Sequence, residues 1–255
     1  VSHPVIPQLV AHRGYLRCFP ENTWLALRAA LDAGACWLEF DIQLCRDGQF
    51  VVLHDDSFVR TAGVAQSVFE LDSHAIALSV HEPQRFGERF APTPVATLAE
   101  ILQQLSAWPR VGALVELKQE SIDRWGLDTV MQKLLPLLLA HRSQCTLISF
   151  NQAALEWSRR QTNLPVGWVL THYDGSHYAR ARAFEPDYLI CNRHKLPGDQ
   201  PPWPGPWQWM LYDITDPEQA LAWAARGVAL IETADIGAML QDHRLKQRAC
   251  PHAAL

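Results

Sequence analysis

Short apolar, β-type runs alternate with amphipathic segments along almost the whole chain, and this alternation restricts the fold more than any other feature. Candidate strands are Leu9–His12, Trp37–Leu44, Phe50–His54, Ala113–Lys118, Thr146–Phe150, Val166–Leu170, Tyr188–Cys191, Gln208–Ile214 and Val228–Glu232. Helical patterns cover Thr23–Ala33, Leu98–Leu105, Leu127–His141, Gln152–Gln161, Tyr178–Ala183 and Pro217–Arg226. Strands that alternate with helices imply a parallel sheet under a helical layer. One pair departs from the rule. Between Leu44 and Phe50 lies only Cys-Arg-Asp-Gly-Gln, which carries an Asp-Gly turn signal. A parallel crossover needs about a dozen residues or more, so these two strands pair antiparallel and eight parallel strands remain.

Several of the apolar runs end in, or are broken by, charged residues. These are His12-Arg13-Gly14, Glu39-Phe40-Asp41, His54-Asp55 and Glu116-Leu117-Lys118, with Pro20-Glu21-Asn22-Thr23 before the first helix. A carboxylate in a buried strand is costly unless it is paired or bound to a metal. The i, i+2 spacing of Glu39 and Asp41 puts both on one side of their strand, and Lys118 points the way Glu116 does. Three carboxylates converging on one point from two strands suit a hard, oxygen-seeking cation such as Mg²⁺ or Ca²⁺. Two histidines beside them suit acid/base work near neutral pH.

These motifs (AHRG at 11–14, PENT at 20–23, EFD at 39–41, DG at 47–48 with VVLHDD at 51–56, VELK at 115–118) resemble those of the glycerophosphodiester phosphodiesterase family. Weaker matches follow in ISF (148–150) and GVALIETAD (227–235). The resemblance implies an α/β fold, a (β/α)8 TIM barrel with a β-hairpin extension after strand 2, over residues 1–255 as one domain. It further implies an inserted loop or small subdomain at about 57–97, before strand 3. Glu39, Asp41 and Glu116 would hold one divalent cation, Mg²⁺ or Ca²⁺. His12 and His54 would be the acid/base pair, and Arg13 and Lys118 would hold phosphate oxygens. Trp209, whose strand ends at the rim, is a candidate wall for a glycerol or acyl group. The implied substrate is a small glycerophosphodiester, cleaved to sn-glycerol 3-phosphate and an alcohol. Two rival readings are action on lysophospholipids and a catalytically silent barrel that serves as a binding protein. The strand Trp209-Met-Leu-Tyr-Asp213 and the ending Thr233-Ala-Asp-Ile-Gly237 depart from the family's Trp-Thr-Val-Asn and Thr-Asp-x-Pro patterns.

Composition narrows the partners. A net charge of −5 argues against a nucleic-acid binder, and no apolar stretch is long enough for a membrane anchor. The six cysteines show no CxxC pair or zinc-type spacing and are expected to be free thiols, which together with an N-terminus unlike a signal peptide favours a cytoplasmic protein. Asn22 or Thr23 should cap the first helix and Gly34 should end it. Glu21 and Asn22 border the same rim. Histidines other than His12 and His54, among them His3 and His252, are expected in loops or at the surface. The proline-rich stretch 196–206 predicts a short or missing seventh helix.

Overall fold

The computed structural model describes residues 5–198 and 200–250, so His3 and His252 lie outside the described residues. In chain order, β1 (Gln8–Ala11) leads through α1 (Trp24–Ala33) to β2 (Trp37–Leu44) and β3 (Phe50–Val52). Two single-turn helices, α2 (Val59–Ala62) and α3 (Pro83–Phe86), lie on the long link to α4 (Leu98–Leu105). Then come β4 (Gly112–Leu117), α5 (Gln119–Trp125), α6 (Leu127–Ala140), β5 (Cys145–Ser149), α7 (Gln152–Gln161), β6 (Val166–Val169) and α8 (Gly175–Phe184). The last elements are β7 (Tyr188–Asn192), β8 (Gln208–Tyr212), α9 (Pro217–Ala224), β9 (Val228–Thr233) and α10 (Ile236–Met239).

Eight strands close into a parallel barrel in the order β1-β9-β8-β7-β6-β5-β4-β2, sealed by β1 on β2. One edge of β2 pairs with β4, and the other serves two neighbours. Its first residues pair with β1 (Val10 with Trp37), while Ile42–Leu44 pass the rim and pair antiparallel with β3. The Asp-Gly turn makes this possible, with Gly48 at φ +79°. The return strand brings His54 back over the site, because Leu53 N–H donates to the Asp41 carbonyl at 3.0 Å.

Alternation along the strands separates two apolar layers. Val10, Leu114, Ile148, Val169, Ile190, Met210 and Leu230 fill the lumen. Leu38, Phe40, Val115, Leu147, Trp168, Leu189 and Ile231 pack outward on the helices. A smaller cluster of Leu53, Phe58, Val68 and Val80 gives the 57–97 region its own anchorage beside β3. Thr23 caps α1 through Ala26 N–H, and Gly34 follows it at φ 102°. Between β7 and β8 the described residues form only a 3₁₀ turn, Arg193–Lys195, and Trp203 and Trp207 fill the space of a helix by packing on Trp209.

The cysteines need a correction. Cys36 and Cys250 are joined in a disulfide across 214 residues of sequence, while Cys18, Cys45, Cys145 and Cys191 are free. The C-terminal segment returns beneath α1, where Cys250 N–H donates to the Gly34 carbonyl at 2.9 Å, and this sets the two Cα atoms 5.1 Å apart. The inference from six free thiols to a cytoplasmic setting loses its basis at this pair. Among the described residues no helix is long and apolar enough to cross a membrane.

Candidate active site

The carboxyl ends of the barrel strands surround a cavity of about 210 Å³. Its wall includes His12, Arg13, His54, Glu116 and Lys118 on one side and Ile148, Phe150, Val169, Ile190 and Met210 on the other. Glu39 and Asp41 lie beneath it, buried to 2% and 1% exposure. One ligand-type oxygen from each of Glu39, Asp41 and Glu116 falls within 4.8 Å of the others. The strands thus bring together every site residue expected from sequence except Trp209. That residue is a correction: it faces the outer layer, donates its indole N–H to the Trp203 carbonyl at 2.8 Å, and does not line the cavity. Strand alternation places Met210 inside instead.

The turn after β1 is built for this geometry. Arg13 and Gly14 are left-handed, at φ 49° and 80°. A Cβ on Gly14 would stand 2.5 Å from the Ala26 backbone, so only glycine lets α1 approach. The Arg13 amide then donates to Glu39 Oε2 at 3.0 Å, and its guanidinium pairs with Glu21 at 2.9 Å and Asp41 at 3.1 Å. Asn22, also left-handed, does not cap α1. Its amide instead donates to Asp41 Oδ2 at 2.9 Å, and its Oδ1 accepts from Asp41 N–H at 3.1 Å. Lys118 Nζ lies 2.8 Å from Glu116 and 3.4 Å from Asp41.

His54 is oriented from behind. Its Nδ1 lies 2.6 Å from Asp55 Oδ1, and Arg60 of α2 holds Asp55 Oδ2 at 2.8 Å and Glu21 at 2.6 Å. Hence the 57–97 region reaches the site through Arg60. Sequence reading missed this residue, because only the folded link shows where α2 sits. It missed Glu232 and Asp213 as well, both on the cavity wall. A signal for Glu232 existed: a carboxylate two residues after lumen-facing Leu230, the parity argument that singles out Asp41 after Glu39.

The charges are unevenly matched. Burial works against ionisation of Asp41, yet Arg13, Lys118, His54 and the Asn22 amide hold its carboxyl well below the usual range. Burial pushes the other three carboxyls up, helped by repulsion from Asp41 and, for Glu39 and Glu232, from one or both of the others: Glu39 well above the ordinary value, Glu116 to about 7 and Glu232 to about 8. Burial, then Arg13, pushes His12 down to about 4. Glu39 Oε1 is buried and has no hydrogen-bond donor. A divalent cation fits this set, because it would satisfy that oxygen and neutralise the excess of carboxylates.

A stability test follows. The folded protein holds protons on Glu116 and Glu232 that the unfolded chain releases above their ordinary value of 4.5, so stability falls as pH rises toward about 8. His12 acts in the opposite sense only below its ordinary 6.5. The Tm of chelator-treated protein should therefore fall between pH 6.5 and 8, and saturating Mg²⁺ or Ca²⁺ should flatten the slope. A metal-free Tm that rises across this window would refute the assignment.

Residues 12–192 match the Glycerophosphoryl diester phosphodiesterase family. A glycerophosphodiester phosphodiesterase from Caldanaerobacter subterraneus subsp. tengcongensis is 36% identical over 95 residues, 37% of this chain and 39% of its own. One from Bacillus altitudinis is 30% identical over 111 residues, 44% of this chain and 45% of its own. The chain thus matches less than half the length of these relatives. Among solved structures, an Oleispira antarctica phosphodiesterase in complex with the product sn-glycerol-3-phosphate aligns with a TM-score of 0.80, covering 92% of this chain and 96% of that one at 21% identity. That likeness carries the fold.

Proposed function

The chain belongs to the glycerophosphoryl diester phosphodiesterase family, and we propose that it hydrolyses glycerophosphodiesters to sn-glycerol 3-phosphate and an alcohol. The observation that carries this reading is the convergence of Glu39, Asp41 and Glu116 beneath a cavity walled by His12 and His54. Those three carboxylates would hold one divalent cation, Mg²⁺ or Ca²⁺. When bound, it supplies positive charge to the phosphate and its transition state.

The chain's own groups do the rest. Burial keeps His12 neutral, so its imidazole can take the proton from the attacking hydroxyl, whether of water or of the substrate's glyceryl group. His54, with Nδ1 against Asp55, directs Nε2 to the cavity and can donate the proton that the leaving alkoxide needs. The bond to the attacking oxygen forms as the bond to the leaving oxygen breaks. Lys118 and Arg13, both on the cavity wall, offset charge on the non-bridging oxygens. Arg13 also fixes Glu39 and Asp41, so it joins the phosphate site to the metal site.

The test is release of sn-glycerol 3-phosphate from glycerophosphocholine and glycerophosphoethanolamine, with EDTA, Mg²⁺ and Ca²⁺ in parallel. Release with metal and none with EDTA is the expected result. No release under any condition, from folded protein, would overturn the reading. One observation favours lysophospholipids as a second substrate class. An apolar groove of about 530 Å³, lined by Trp24, Leu25, Phe90, Pro92 and Val95, lies between α1 and the 57–97 region. Lysophosphatidylcholine as a further substrate in the same assay decides that point.

A further inference from the structure

Glu232 is a buried carboxylate to which the proposed reaction gives no task. It ends the inward-facing side of β9 two residues after Leu230, lines the cavity, and is 4% exposed. One of its oxygens lies within 4.8 Å of a ligand-type atom of both His12 and Glu39. Among the described residues no cationic side chain forms an ion pair with it and no backbone N–H donates to it; its side-chain hydrogen bond is to Glu39, itself a carboxyl group, and Arg13 acts on it only from farther off. Contrast Asp41, which has Arg13, Lys118 and Asn22. A carboxyl group that lines a cavity and has another carboxyl as its protein partner keeps acceptor capacity for a ligand that brings donors.

The chemistry of that ligand follows from its surroundings. Phosphate is unsuited, since a phosphate oxygen offers Glu232 no donor and Arg13 and Lys118 lie on the cavity wall to take it. Ile148, Val169, Ile190 and Met210 make the neighbouring wall apolar, which suits carbon rather than charge. A short polyol satisfies both, with hydroxyls to the carboxylate and its carbon chain to the wall. We propose that Glu232 is a specificity-determining residue that accepts hydrogen bonds from the glyceryl hydroxyls of the substrate. This rests on the diester-hydrolysis reading above and adds the residue of this chain that selects for the glyceryl hydroxyls.

The experiment compares sn-glycero-3-phosphocholine with ethylphosphocholine, which keeps the phosphate and the choline but lacks the diol. Wild-type protein, Glu232→Gln and Glu232→Leu are assayed on both with metal present, and kcat and KM are separated. A hydrogen bond to a charged group is worth roughly 10- to 100-fold, so the preference for the glyceryl substrate should shrink by that factor in Glu232→Leu, mostly through KM. The isosteric Glu232→Gln, which can still accept from a hydroxyl, should lose less and serves if the leucine variant does not fold. Calorimetry with sn-glycerol 3-phosphate and ethyl phosphate gives the same comparison without turnover, with affinity for the former falling selectively. An unchanged ratio between the two substrates, or between the two ligands, overturns the proposal. Failure of the wild type to hydrolyse either diester refutes the reaction instead, while the two affinities still decide the role of Glu232.

Discussion

Replacing His12 or His54 by alanine is expected to lower turnover by at least about 10²-fold while the fold and metal binding persist. Neither ring supports the barrel. The His12 backbone is fixed by its N–H to the Thr233 carbonyl at 3.1 Å, and its ring faces the cavity. The His54 ring is about one-third exposed and makes its close contact with Asp55. Loss of either removes one proton transfer and leaves Glu39, Asp41 and Glu116 in place. The check is kcat on glycerophosphocholine beside a calorimetric metal titration of the same preparations. Near-normal turnover in His54→Ala would end the two-histidine mechanism, and lost metal binding in His12→Ala would make that residue a ligand.

Much of this arrangement is legible before folding, and particular residues show where legibility ends. β2 is read to the residue, Trp37–Leu44, because the alternating apolar residues Leu38, Phe40, Ile42 and Leu44 run up to an Asp-Gly turn. α4 is equally clear, since Thr97 and Glu100 form a capping box ahead of Leu98, Ile101, Leu102 and Leu105. α5 was missed because Gln119–Trp125 is short and largely polar. Trp209 was misplaced for a different reason. In Trp209-Met-Leu-Tyr both faces of the strand carry large side chains, so the sequence does not reveal which face is the lumen. The Cys36–Cys250 pair depends on where the C-terminal segment returns, and Arg60 on where the 57–97 region docks. Both are tertiary facts with no local signature.

Glu39→Gln and Asp41→Asn should each abolish most metal affinity, by more than the roughly 10- to 100-fold typical of losing an outer partner of a metal site. Excess metal should restore part of the activity. Without metal, however, the two substitutions should move stability in opposite directions. Asp41 is the carboxylate that its neighbours keep ionised, and in Asp41→Asn the half-buried Arg13 and buried Lys118 charges lose a partner. Breaking such a pair from one side costs on the order of 3–5 kcal/mol, a little less here because Arg13 retains Glu21 and Lys118 retains Glu116. Glu39 is the reverse case. It is crowded by Asp41, Glu232 and Glu116, and a neutral amide can still accept from the Arg13 N–H. Glu39→Gln should thus raise the Tm of chelator-treated protein at pH 8, while Asp41→Asn lowers it. Thermal melts of the two variants beside wild type, with and without metal, decide the matter. Shifts of the same sign without metal would mean that the carboxylates share their charge evenly and that Arg13 and Lys118 do not single out Asp41.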